Sequence, residues 1–90
     1  MNAQELSAHV LQALANAQSE GRAQSLETLV ETLRVRRGDI RRTITLLHRQ
    51  GFVDALRMRL TLPGFALGRA TMGKVLPALR RPRLAEIVAA

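Results

Sequence analysis

Through the first fifty residues the apolar positions recur at three- and four-residue intervals, which is the period of helices with one buried face. Leu6, Val10, Ala13, Leu14 and Ala17 make one such stripe, with Gln4, Glu5, Gln12 and Asn16 lying off it. Asn2 followed three residues later by Glu5 has the form of a capping box that starts this helix. The turn-forming cluster Ser19-Glu20-Gly21 ends it near Gln18, giving a first helix over 1–18. Ser25 is a natural N-cap for a second helix over 25–33, with Leu26, Leu29, Val30 and Leu33 inward and Glu27 and Glu31 in solvent. Glu27 also suits the positive end of that helix's dipole. A third helix over 36–50 places Ile40, Ile44 and Leu47 on one side and stops at Gly51, where a left-handed residue can satisfy the last carbonyls.

After Gly51 the period changes. In VDALRMRLTL, residues 53–62, Leu56, Met58, Leu60 and Leu62 alternate with Arg57, Arg59 and Thr61. Alternation of that kind predicts a half-buried strand with its arginines outward. Phe52 and Val53 supply a partner strand across a turn near residues 54–56, so 52–61 is expected to be a β-hairpin, although its turn lacks the Gly or Asn that two-residue hairpins favour. Thr61 is placed to cap a further helix, with Pro63 and Gly64 in its first turn and Phe65, Met72, Val75, Leu76 and Leu79 on its apolar side. Pro77 denies an amide to Gly73, which predicts a break between residues 73 and 77. Past Arg80, Arg81, Pro82 and Arg83, a short last helix carries Leu84, Ile87 and Val88 on one face and must dock to persist. No repeat, low-complexity stretch or linker divides the chain, so 1–90 is read as a single domain whose part after residue 62 is helical.

Composition narrows this to a mainly helical class with a small hairpin. Ninety residues support one economical core. The chain is 47% apolar, yet Phe52 and Phe65 are its aromatic residues, so that core is aliphatic. The absence of cysteine excludes disulfides, thiolate metal sites and thiol nucleophiles. The first residues, MNAQELSAHV, show neither a basic leader nor an apolar h-region, and no run approaches the roughly 18–20 apolar residues of a membrane span. A soluble, cytoplasmic protein with no membrane partner is expected.

Charge is distributed very unevenly. Residues 1–33 hold Arg22 against four glutamates, a net −3, whereas residues 34–90 hold thirteen basic side chains against three acidic ones, a net +10. Burying Ile40, Ile44 and Leu47 turns Gly38, Arg41, Arg42 and Thr45 largely outward, with Arg37 and Asp39 at the exposed amino-terminal end of the same helix. A one-sided positive field is what a polyanion-binding surface needs. The competing reading is a basic solvated surface, since 13 of the 14 basic residues are arginine.

The order helix, helix, arginine-rich helix, β-ribbon, helix resembles the winged helix-turn-helix DNA-binding regulators. The likeness is carried by Leu33-x-Val35 at the end of the second helix, by Ile40 and Ile44 in the third, and by Leu47-x-x-x-Gly51-Phe52-Val53 at the exit into the hairpin. Leu60-Thr61-x-x-Gly64 before an apolar helix resembles the strand-to-helix junction of the MarR-like and PadR-like members. The likeness covers Ser25 to Leu67. It departs from the family at Arg34, where a glycine is common, so a different or strained turn is expected there. The hairpin, or wing, is also short and is expected to reach phosphate only.

The resemblance implies that the third helix enters the major groove of double-stranded DNA as the recognition helix of a sequence-specific, nucleoid-associated transcriptional regulator. Carried over by position, Arg37, Gly38, Asp39, Arg41, Arg42 and Thr45 are base-contacting, and Arg36, Arg49, Arg57 and Arg59 contact phosphate. For Asp39, the helix dipole together with a pair to Arg42 or Arg36 is the stronger explanation. Most such regulators are symmetric dimers, which here would pair through helix 1 and the carboxyl-terminal segment. Gly64-x-x-x-Gly68, whose small residues allow close helix approach, favours that interface over the alternative of the tail folding back on helix 1. Two other readings of the basic face stand beside this one: a winged-helix module for an acidic protein partner, and a non-specific architectural DNA- or RNA-binding protein.

Nothing points to catalysis, a cofactor or a metal. GRATMGKV, residues 68–75, matches the phosphate-loop pattern except that Val75 stands where the Mg²⁺-binding hydroxyl is required, and it falls in a helical segment rather than between strand and helix. His9 and His48 have no carboxylate at ligand spacing. Ser7 and Ser19 have no motif around them, and Ser25 is explained as a cap.

Overall fold

The computed structural model describes residues 3–71 and residue 76. It contains α1 (Ala3–Ser19), α2 (Leu26–Leu33), α3 (Arg37–Arg49), β1 (Val53–Asp54), β2 (Arg59–Leu60) and α4 (Leu62–Arg69). The described chain is mainly helical, with one two-stranded antiparallel hairpin in which Val53 pairs with Leu60 and Asp54 with Arg59. The Asn2 cap, the apolar positions Met72, Val75 and Leu79, the break before Pro77 and the final helix lie outside the described residues.

Helix ends fall where local chemistry puts them. At the end of α1, Gly21 takes a φ of 70°, with its amide donating to Gln18 and that of Arg22 to Ala17. At the end of α3, Gly51 takes a φ of 82°, its amide donating to His48 and that of Phe52 to Leu47. Both are paired closures in which a left-handed residue lets two amides reach back to orphan carbonyls. Ser25 caps α2 through the Thr28 amide, and Thr28 reciprocates to the Ser25 amide. The turn after α2 has no glycine. Arg34 adopts the left-handed conformation instead, at φ 53° and ψ 48°, and its amide bonds Val30. The expected strain is therefore realised in the backbone of that residue.

One core joins all the elements. Leu6, Val10, Leu11, Leu14 and Ala15 of α1 pack with Leu29, Val35, Ile40, Ile44, Leu47, Val53 and Leu60. The face of α1 is wider than the predicted stripe, since Leu11 and Ala15 are buried while Ala13 is half-buried. That width lets α1 touch α4, α3, α2 and β2 at once. Each fully buried Leu, Ile or Val in this set contributes about 1.5–3 kcal/mol relative to its exposed state.

The strand expected over residues 53–62 is corrected to two residues. Leu56 is 96% exposed and Leu62 85% exposed, so of the four alternating apolar side chains Leu60 alone is fully buried and Met58 is half-buried. The cause is Asp54. Its carboxylate accepts the amides of Leu56 and Arg57, at 3.1 and 3.3 Å, and so turns the chain where a continuing strand was predicted. Met58 completes the reversal with a φ of 51°. The other edge of β2 is closed by a side chain, because the Leu60 amide donates to Gln18 Oε1 at 2.9 Å.

Thr61 caps α4 as expected, accepting the Gly64 amide at 3.2 Å, and it donates its own hydroxyl to the Gly51 carbonyl at 2.5 Å. Gly64 and Gly68 both turn their bare faces to this chain's own backbone. A Cβ on Gly64 would fall 1.7 Å from the Phe52 carbonyl oxygen, and one on Gly68 would fall 2.8 Å from that of Leu11. This small-residue pair thus seats α4 on α1 and on the start of the hairpin.

Two substitutions test these constraints. Gly64→Ala destabilises by about 3 kcal/mol, because the blocking atom is backbone carbonyl and cannot rotate aside. Arg34→Gly relieves the left-handed strain and stabilises by about 0.5–1 kcal/mol. Urea unfolding followed by circular dichroism reads both.

Candidate nucleic-acid interface

α3 is held by one face and presents the other. Ile40, Thr43, Ile44 and Leu47 are buried on it, and the Thr43 hydroxyl is satisfied by the Asp39 carbonyl at 2.9 Å. Thr43 carried no signal in the apolar pattern because its burial depends on that local bond. Opposite, Gly38, Arg41, Arg42, Thr45 and Arg49 are all exposed. Gly38, Arg42, Thr45 and Arg49 lie at i, i+4, i+7 and i+11 and form one outward row. Arg49, which the sequence assigned to phosphate, stands in the same row as the predicted base contacts.

The amino-terminal end of α3 is open. Arg36 occupies the N-cap position without any side-chain cap bond, in contrast to Ser25 and Thr61 at the starts of α2 and α4. Gly38 follows with open space where a Cβ would be. Uncapped first-turn amides carry the positive end of the helix dipole and suit an anionic oxygen. Sequence inspection missed this, although a long cationic residue at a cap position was its visible sign.

Two of the predicted contacts are already engaged. Arg37 Nη2 meets Glu27 Oε1 of α2 at 2.5 Å, which ties the start of α3 to the acidic helix. Arg42 bonds the Asp39 carboxylate one turn before it, the pair anticipated for Asp39. Asp39 itself is half-buried, with 26% of its side chain exposed. Both arginines remain more than half exposed, so either pair is worth at most about 1 kcal/mol and can be exchanged for a stronger anion. Among the described residues, Arg36, Arg41, Arg49 and Arg59 are exposed and in no ion pair.

The hairpin is fixed to the carboxyl end of α3. His48 Nδ1 lies 3.0 Å from the Val53 carbonyl oxygen and 3.3 Å from the Ala55 amide, so in either tautomer it has a hairpin partner. Arg57 is in the turn and Arg59 on β2, both exposed, with Arg57 Nε 3.8 Å from Asp54 Oδ2. Of the four predicted phosphate residues, Arg36 therefore sits at the start of α3, Arg49 at the far end of the outward row, and Arg57 and Arg59 on the hairpin beside it.

No group of three or more His, Asp or Glu side chains among the described residues could hold a metal ion. No described helix is long and apolar enough to cross a membrane. Comparison with protein-family models, with curated proteins and with solved structures returned no match.

The Asp54 carboxylate is the expected weak point of the hairpin turn. Asp54→Ala removes both acceptor bonds, and amide exchange at Leu56 and Arg57 should accelerate about five- to tenfold, read by NMR, while exchange in α1 stays unchanged.

Proposed function

We propose that this chain is a winged helix-turn-helix protein that binds double-stranded DNA sequence-specifically and regulates transcription, with α3 as its recognition helix. The observation that carries the reading is the outward row of α3, Gly38, Arg42, Thr45 and Arg49 with Arg41 beside it, standing on a helix locked by four buried side chains. Rigid support matters because groove recognition needs side chains held in register before the encounter. Arginine bonds guanine O6 and N7 bidentately, and a bare Gly38 admits close approach of the helix backbone. Arg36, Arg49, Arg57 and Arg59 are assigned to phosphate, as is the uncapped start of α3. Thr45 donates its hydroxyl to the Arg41 carbonyl at 2.9 Å, so it offers a groove its methyl group and an oxygen acceptor.

On contact, Arg42 would leave Asp39 for a guanine edge, and Asp39 would then face the exocyclic amine of a neighbouring cytosine or remain a positioning partner. Arg37 would likewise have to give up Glu27. A second copy of the chain belongs to the same reading, docked through α1 and the segment beyond α4. The partly exposed Leu46 and Leu67 line one apolar groove with Ala8 and Leu11, and that contact would cover them. Two-fold pairing would present two α3 helices to two half-sites.

Selection from a randomised duplex pool is the direct test, and an enriched motif is the expected result. With about four to six phosphates neutralised per site, log affinity should fall against log salt with a slope of about −4 to −5. Arg42→Ala should cost about 1–3 kcal/mol and relax preference at one base position, whereas Arg59→Gln should weaken all sequences alike. Binding without any enriched motif would make the protein a non-specific architectural one. No binding to duplex at low salt would leave the acidic protein partner.

A further inference from the structure

Between the end of α1, the loop that follows it and the hairpin lies a cavity of about 350 Å³ that shares Arg57 and Arg59 with the DNA-binding reading and is otherwise outside it. Its volume is in the range of small-molecule sites. Leu14, Ala17 and Met58 give it an apolar floor, and Arg22, Arg57 and Arg59 give it a cationic rim. Its remaining polar side chains are Gln18 and Gln24. In both, the amide oxygen is already occupied: Gln18 Oε1 accepts the Leu60 amide, and Gln24 Oε1 accepts the Thr28 hydroxyl. Each glutamine keeps the two hydrogens of its NH₂ group as donors, beside one remaining lone pair on that oxygen. The charged side chains lining the cavity are thus all cationic, no carboxylate among the described residues lines it, and both glutamines have donors to add. The carboxylates nearest these arginines, Glu20 and Asp54, each engage one nitrogen of Arg22 or Arg57, and Arg59 is in no ion pair among the described residues. Met58, whose left-handed φ of 51° is unusual for a residue with a side chain, sits in the cavity wall. Such backbone persists where surrounding structure imposes it, and it occurs often at ligand clamps.

We infer that this cavity binds a small organic anion, a carboxylate on an apolar body, with the body on Leu14, Ala17 and Met58 and the carboxylate taken by Arg22, Arg59 and the glutamine amides. Because Arg59 belongs to the hairpin and is one of the arginines assigned to phosphate, occupancy draws it away from phosphate and lowers DNA affinity. This second step rests on the DNA-binding reading, and the first does not.

Benzoate and hexanoate are the probes, with benzylamine as the matched cation, added to ¹⁵N-labelled full-length protein without DNA. Saturable shifts are expected at the amides of Gln18, Gly21, Ala23 and Met58 with both carboxylates and with neither at the face of α3. Benzylamine should produce none. Arg22→Gln, which touches no proposed DNA contact, should weaken carboxylate binding about threefold. Ala23→Phe, at an exposed loop position, should fill the cavity and abolish it while the rest of the spectrum is unchanged. Equal shifts with benzylamine, shifts that survive Ala23→Phe, or no saturation with either carboxylate would each overturn the site. Duplex binding is then measured with and without benzoate. Weakening in wild type but not in Ala23→Phe supports the coupling, and undiminished duplex affinity at saturating benzoate refutes it. A chain that bound no duplex at all would end the DNA reading alone, since the carboxylate titration is read without DNA.

Discussion

The peptide carbonyls of Gly51 and Phe52 are where α3, the hairpin and α4 are joined. Phe52 returns its amide to Leu47 at the end of α3, while its carbonyl oxygen accepts the Thr61 amide at 3.0 Å. Thr61 closes the same knot from the other side by donating to the Gly51 carbonyl and capping α4. Gly64 lies directly against Phe52, where a single methyl group has no room. Chain direction after α3, hairpin register and α4 placement all follow from this one region of backbone contact. The outward row of α3 is positioned by it at one end and by the Glu27–Arg37 pair at the other.

Much of this was written in residues that act locally. Gly21, Ser25, Gly51 and Thr61 each announce a helix end through their own backbone freedom or hydroxyl, and each ended or began a helix within about a residue of the expected place. The amphipathic pattern of α3 was legible for the same reason, since a helix sorts its side chains by number alone. What misled was alternation in residues 53–62. Periodicity counts side-chain types and is blind to a carboxylate such as that of Asp54, which can bind two amides and end a strand after two residues. Gly64 and Gly68 were visible as a pair, but which backbone they approach is a tertiary fact. The apolar pattern also had no means to register the open start of α3 or the cationic lining of the cavity. The first is a hydrogen bond that a cap side chain does not make, and the second depends on α1 and the hairpin meeting across 42 residues of chain.

The charge reversal at Arg34 takes on a more specific meaning once the pairs are known. The acidic half of the chain is not merely separate from the basic half, for Glu27 reaches across and restrains the first arginine of α3. Asp39 restrains Arg42 in the same way from within the helix. Exposed pairs of this kind cost little to break, so they orient a long side chain in the free protein without holding it against a better anion. The cations without such partners, Arg36, Arg41, Arg49 and Arg59, surround the restrained ones. The two kinds of cation thus differ in how freely their side chains are placed in the free protein, not in how strongly they are held.

The side chain of Gln18 across β2 bears on how copies of the molecule treat one another. A hairpin of two-residue strands has two outer edges, and an edge with free amides is a template on which another chain can add strands without limit. Here the Leu60 amide is spent on Gln18, the neighbouring residue of β2 is the charged Arg59, and the strand is too short to offer a second rung. Gln18 is thus a plug as well as a brace. Among the described residues the sheet is this one hairpin, and its β2 edge is closed from within even though the turn beside it carries a fully solvated Leu56.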